Sequence, residues 1–150
     1  MLKLTRMNHS DYQNLLEVGL RDYEEELIQT GRSTEEAKEI AIKTFNEALK
    51  DGLETEGHDF FNLTLHDKNV GFLWFEIKED NKGFINYLYI HEEHRKKGFG
   101  KIAMELLDEY AKNIGVKKIG LHVFGFNKSA IALYEKMGYI PTNIVMVKEI

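Results

Sequence analysis

Apolar residues recur along this chain at two periods, and the switches between them outline a fold. The opening LKLT alternates and reads as a short strand. YQNLLEVGLRDYEEELIQTG then has helical spacing, with Ser10-Asp11 placed to cap it and Gly31 to end it. STEEAKEIAIKTFNEALKDG follows, with Ile40, Phe45 and Leu49 at roughly helical intervals. Ser33 and Glu36 fit a capping box there, and Gly52 closes the helix. The period next drops to two. DFFNLTLH, GFLWFEIKE and FINYLYI read as three strands separated by the turn sequences DKNVG and DNKG, which predicts an antiparallel meander. GKIAMELLDEYAKNIG is an amphipathic helix, with Ile102, Leu106, Tyr110 and Ile114 four apart and Gly115 as its stop. KKIGLHVFG is a strand, and NKSAIALYEKMG a helix that Asn127 can cap and Gly138 can end. TNIVMVKEI reads as a final strand after Pro141. The predicted order β-α-α-β-β-β-α-β-α-β describes one α/β (or α+β) domain over residues 1–150 with a mixed sheet.

Composition narrows the functional classes. At 150 residues, 43% of them hydrophobic, the chain can bury one substantial core. Cysteine is absent, which excludes disulfides, thiolate metal ligands and a cysteine nucleophile. No apolar run approaches the ~18–20 residues that cross a bilayer. MLKLTRMNHSDY lacks the apolar stretch of a signal peptide, so a cytoplasmic protein with no membrane association is expected. A formal net charge of −5 argues against a nucleic-acid partner. His9, His66 and His91 are too scattered to suggest a metal site, and no metal is expected.

Against that acidic background, HEEHRKKGFGK at residues 91–101 gathers His94, Arg95, Lys96, Lys97 and Lys101 around Gly98 and Gly100. It lies between a predicted strand and a predicted helix. Glycines there let backbone N–H groups face a ligand with no Cβ in the way. The first amides of a helix lack internal partners and favour negative charge, so a phosphate is the expected guest. A P-loop is excluded by the spacing and by Ile102 after Lys101. Gly98, Gly100 and Ala103 match G-x-G-x-x-G/A, but the next strand, KKIGLHV, does not end in the acidic residue of a dinucleotide fold.

Arg95-x-x-Gly98-x-Gly100 after a strand resembles the acetyl-CoA pyrophosphate signature, R/Q-x-x-G-x-G/A, of the GNAT N-acetyltransferase superfamily. LHVFGFNKSAIALYEKMGY is similar to that superfamily's other cofactor motif, through Asn127, Ala130, Leu133-Tyr134 and Gly138-Tyr139. The two blocks cover residues 84–140. The preceding element order matches the family in architecture only. The resemblance implies that the strands on either side of the glycine loop and its helix run parallel and splay apart. Pantetheine would pair with the backbone of Leu88, Tyr89 and Ile90. Amides of Lys96, Lys97, Gly98, Phe99, Gly100 and Lys101, with Arg95 adding charge, would hold the pyrophosphate. Asn127 would touch the pantetheine arm, and Tyr134 would point its hydroxyl at the sulfur. Homodimers are common among such proteins.

The implied reaction is direct attack of an amine on acetyl-CoA, with no covalent intermediate. A tyrosine hydroxyl, pKa ~10, stays protonated at neutral pH and suits Tyr134 to protonating the departing thiolate. A lysine-like acceptor amine, pKa ~10.4, costs roughly 4–5 kcal/mol to deprotonate at pH 7, so a base or a water chain is required. His122, five residues before Asn127, is the first candidate for that base. Asn86 and Tyr87 ordering a water, or Glu76, are further candidates. Asp22, Glu24, Glu25 and Glu26 can draw a cationic amine, or form a solvated helix face. His58 and Asp59 are candidate cleft residues. A non-catalytic acyl-CoA sensor on the same scaffold, or a nucleotide-binding domain, are the competing readings. The acceptor is not named by the sequence.

Overall fold

Side chains alternate along the central strands to two faces of one sheet, and helices cover both. The computed structural model describes residues 1–150. Its strands are β1 (Leu2–Arg6), β2 (His58–Leu65), β3 (Lys68–Lys78), β4 (Lys82–Ile90) and β5 (Lys118–Leu121). Its helices are α1 (His9–Gln29), α2 (Thr34–Ala48), α3 (Phe99–Asn113) and α4 (Lys128–Lys136). The sheet runs β1-β2-β3-β4-β5, antiparallel as far as β4, with β5 parallel to β4. It is therefore mixed, as the sequence predicts.

Leu63, Leu73, Phe75 and Ile85 lie on one face and pack against Ala103, Met104 and Leu107 of α3. Phe60, Phe72 and Trp74 lie on the other and pack against Tyr12 and Leu15 of α1. Burying each large apolar side chain contributes roughly 1.5–3 kcal/mol, so the two clusters hold the sheet between its helix layers. The β2–β3 hairpin turns on His66 and Asp67, and the β3–β4 connection on Asp80 and Asn81, all at positive φ. Asp and Asn tolerate that region better than most residues.

Several expectations are corrected. Helix α1 is capped by Asn8 rather than by Ser10-Asp11. The Asn8 side chain accepts from the Asp11 amide at 2.8 Å, and Asp11 Oδ2 accepts from the Asn8 amide at 3.1 Å. At α2, Ser33 accepts from the Glu36 amide, which is one half of the expected box, and the helix stops at Leu49, before Gly52. Asn127 stands at the start of α4 but makes no cap bond with its side chain. Strand β5 ends at Leu121, short of the predicted run, because its partner β4 turns away beyond that point. The predicted final strand does not form: residues 140–150 belong to no sheet and are exposed.

Candidate active site

The parallel pairing of β4 and β5 runs from Lys82↔Lys118 to Ile85↔Leu121 and stops. The cause lies on the other side of β4. Ile85 pairs with Phe75 and Tyr87 with Trp74, so Asn86 is an extra, bulged residue. A bulge bends its strand and re-aims side chains. Beyond Asn86, β4 stays paired to β3 through Tyr87↔Trp74 and Ile90↔Gly71, while its other edge is left open. An open edge presents unpaired backbone donors and acceptors to whatever enters.

The glycine segment closes one end of this gap. A single 3-10 turn, Glu92–His94, follows β4, and then Lys96 (φ 62°) and Gly98 (φ 82°) take left-handed conformations. Gly98 is the residue before α3, and no side chain caps that helix. The next amide bonded within the fold is that of Ile102, to the Gly98 carbonyl at 3.2 Å. The six amides from Lys96 to Lys101 have no acceptor in the protein. No acidic residue sits in the first turn of α3 to occupy them. A Cβ on Gly100 would come within 3.2 Å of Leu133 Cδ2, so the helix foot lies against α4. His94 Nε2 is the one buried side-chain polar atom without a hydrogen-bond partner, and it sits beside this loop. These features fit a bound diphosphate.

Arg95 departs in part from expectation. Its Nε donates to the Ile90 carbonyl at 2.8 Å, and its guanidinium lies 5.2 Å from the Tyr89 ring centroid. It is pinned to the end of β4 and occupies one of the carbonyls expected to face pantetheine. Lys96, Lys97 and Lys101 are exposed and carry charge around the loop.

The opposite wall is built from α4 and α1. Tyr134 packs against the α3-side core, and its ring lies 6.0 Å from that of Tyr139. Its hydroxyl makes no hydrogen bond and is not fully buried, so it keeps access to solvent. Burial first, and then the Glu26 charge, push its pKa above that of a free tyrosine. Asn127 Nδ2 donates to Glu26 Oε2 at 2.9 Å, and the Tyr87 hydroxyl donates to Asp22 Oδ2 at 2.9 Å. Burial raises the Glu26 carboxyl pKa, and neighbouring Asp22 raises it further, against a lowering from Asn127. Burial and then Asp22 raise the Tyr87 phenol as well. Glu24 and Glu25, by contrast, form no such link.

The remaining candidates separate. His122 follows β5, is exposed, and meets Phe124 edge-to-face at 4.8 Å with no hydrogen bond to orient it. Successive residues on β2 point to opposite faces, which divides His58 from Asp59. Asp59 joins Arg6 and Tyr110 on the α3 side. His58 Nδ1 accepts from Trp74 Nε1 at 2.8 Å on the other face, and burial lowers its pKa. Its Nε2 lies 3.7 Å from Glu76, whose Oε1 accepts from Asn86 Nδ2 at 2.9 Å. A polar chain thus runs from Trp74 to the bulge. No group of three or more His, Asp or Glu is arranged to hold a metal ion.

In the sequence, Asp22 and Glu26 are not distinguished from their acidic neighbours Glu24 and Glu25. The missed signal is positional: Leu15, Gly19, Asp22 and Glu26 fall at i, i+4, i+7 and i+11, the inward stripe of α1.

The Acetyltransferase (GNAT) family model matches residues 20–139. The chain belongs to the GNAT acetyltransferase family. The N-acetyltransferase YycN of Bacillus subtilis is 33% identical over 99% of this chain and 99% of its own length. A crystal structure of that acetyltransferase superposes with a TM-score of 0.96, covering 100% of this chain and 99% of the other. PaiA N-acetyltransferase from Thermoplasma acidophilum, solved in complex with coenzyme A, shares the fold at a TM-score of 0.73 and 18% identity, over 97% of this chain and 93% of that one. The diverging parallel strands and the acceptor-free amides lie where the two motifs quoted from the sequence fall in this chain. The chain is thus an N-acetyltransferase of a family that uses acetyl-CoA.

Proposed function

We propose that this GNAT enzyme transfers the acetyl group of acetyl-CoA directly to a primary amine of a small cationic molecule or peptide, in a ternary complex. The observation that carries this reading is the run of six acceptor-free amides, Lys96 to Lys101, beside the open edge of β4. A diphosphate held there sends its pantetheine arm along Leu88–Ile90 toward the Asn86 bulge, with Asn127 on the far side. The thioester then lies near Tyr134. The acceptor nitrogen attacks the thioester carbonyl carbon, the C–S bond breaks, the Tyr134 hydroxyl protonates the leaving sulfur, and the second proton lost from the nitrogen returns the tyrosinate to its phenol.

Asp22 and Glu26 flank the entry on the α1 side and attract a protonated amine. The incoming ammonium gives its proton to Glu26, whose half-buried carboxyl already has a raised pKa. Glu26 is preferred to His122 because Asn127 orients it, whereas nothing orients the His122 ring. A panel of polyamines, aminoglycosides, amino acids and peptides, followed by CoA release, tests the proposal. Saturable release with cationic amines is expected. CoA binding without release for every amine would overturn it in favour of a non-catalytic sensor.

A further inference from the structure

The face of the sheet that packs against α1 carries a polar chain where apolar side chains would suffice for packing. Trp74 and Glu76 are two apart on β3, and His58 of β2 pairs with Glu76, so all three share that face. The His58 ring lies 6.2 Å from that of Phe60 and 5.8 Å from that of Trp74, and its side chain is only 7% exposed. An indole N–H can only donate, so the His58 Nδ1 that receives the Trp74 bond carries no proton. Burial holds the imidazole below its ordinary pKa, so at pH 7 the ring is neutral and its one proton sits on Nε2. That nitrogen lies 3.7 Å from Glu76 Oε2, and the other carboxylate oxygen, Oε1, accepts from Asn86 Nδ2 at 2.9 Å. A carboxylate accepts and does not donate, which decides the sense of the Asn86 amide: Nδ2 faces Glu76 and Oδ1 is turned away. That oxygen has no partner in the protein and is not sealed from solvent.

The place of this amide matters as much as its sense. Asn86 is the bulged residue of β4, and it directly follows Ile85, the last β4 residue paired with β5. It stands at the closed end of the gap, where a pantetheine arm running along Leu88–Ile90 delivers its thioester. Its neighbour Tyr87 reaches Asp22 of α1 from the same face.

We propose that Asn86 Oδ1 accepts a hydrogen bond from the attacking amine and aims its lone pair at the thioester carbonyl, and that Trp74, His58 and Glu76 are positioning residues that hold the amide in that sense. This inference rests on the ternary-complex reading above. Once Glu26 has taken one proton, a primary amine keeps two N–H bonds and one lone pair. An acceptor for one N–H directs the lone pair, and such alignment is worth rate. A flipped amide would present Nδ2, which donates to the lone pair and blocks the attack. Asn86 itself gains and loses no proton.

Asn86→Ala should lower kcat about tenfold with the panel amine that releases CoA fastest, and leave CoA affinity in place. Glu76→Gln can show Asn86 either an oxygen or an amide nitrogen, so the Asn86 amide is free to flip and kcat should fall by about threefold to tenfold. Because Glu76 acts only through Asn86, adding E76Q to N86A should cost nothing further. His58→Asn keeps an acceptor for Trp74 but lacks the Nε2 donor, and should share part of the E76Q loss. Nitrogen-15 shifts of the parent at pH 7 should show the His58 proton on Nε2, a readout that requires no turnover. A proton on Nδ1, losses that multiply in the double variant, or N86A turnover within about twofold of the parent would each overturn the Asn86 assignment while leaving acetyl transfer intact. A parent that releases no CoA with any amine would sink the transfer reading and this one with it.

Discussion

Replacing Tyr134 by phenylalanine removes one oxygen and leaves the packed ring. The hydroxyl has no hydrogen-bond partner to lose, so the change in folding stability should stay within about 1 kcal/mol. The melting temperature should scarcely move, and CoA affinity should hold, because the amides from Lys96 to Lys101 are untouched. Turnover is another matter. A positioned general acid is worth roughly 10²–10⁴ in rate, or about 2.7–5.4 kcal/mol of barrier at 1.36 kcal/mol per decade. Burial and Glu26 keep the Tyr134 phenol above its ordinary pKa, so the parent enzyme holds this proton across the whole neutral range. The leaving thiol is a simple alkyl thiol that ionises above the cysteine value of about 8.5, so its need for a proton fades only as the pH passes that range. The deficit of Y134F should therefore be largest near pH 7 and narrow above about pH 9. Initial rates of CoA release across pH, CoA binding by calorimetry, and thermal melts measure the three quantities. Turnover within about threefold of the parent at pH 7, or a rate loss matched by lost CoA affinity, would refute the acid role.

Glu26→Gln should lower kcat/KM for a cationic amine by about 10²-fold while leaving CoA binding intact. Because the folded state raises the Glu26 pKa, it binds the proton more tightly than the unfolded chain does, and parental stability falls as pH rises above the unfolded carboxyl value of about 4.3. Melting curves should accordingly show E26Q more stable than the parent at pH 7 and equal to it near pH 3. Gly98→Ala meets no neighbouring atom but must hold φ at 82°, so it should cost about 1–2 kcal/mol in urea unfolding and weaken CoA binding. His122→Ala should keep turnover within about threefold, and a loss near 10² would return the proton acceptor to that histidine.

Where the physics was local, the sequence was legible. Alternation in DFFNLTLH, GFLWFEIKE and FINYLYI led to the correct meander, because each strand has one face on α3 and the other on α1 and α2. Gly31, Gly115 and Gly138 marked helix ends, since each takes a positive φ that other residues resist. Two strand boundaries were not local. The end of β5 depends on where β4 bends, and the expected final strand finds no place in the five-stranded sheet. Periodicity reports which faces of a segment want burial, and says nothing of which edge will accept it.

The site divides along the same line. The glycine loop is legible as a candidate because its features are carried by backbone, and Gly98 and Gly100 mark where backbone is bare. The proposed acceptor side is not legible in this way, because it is built from side chains brought together from distant elements. Asn127 is expected from its position as a cap and from the resemblance as a pantetheine contact, and neither expectation points to Glu26 on α1, 101 residues away, to which its amide donates. Tyr87 likewise reaches Asp22 across 65 residues. An acidic residue on the inward stripe of a helix is costly unless a partner or a ligand repays its desolvation. Two such residues, four apart and facing a gap that the fold keeps open, exceed what folding alone requires, and on this they carry the proposed acceptor role.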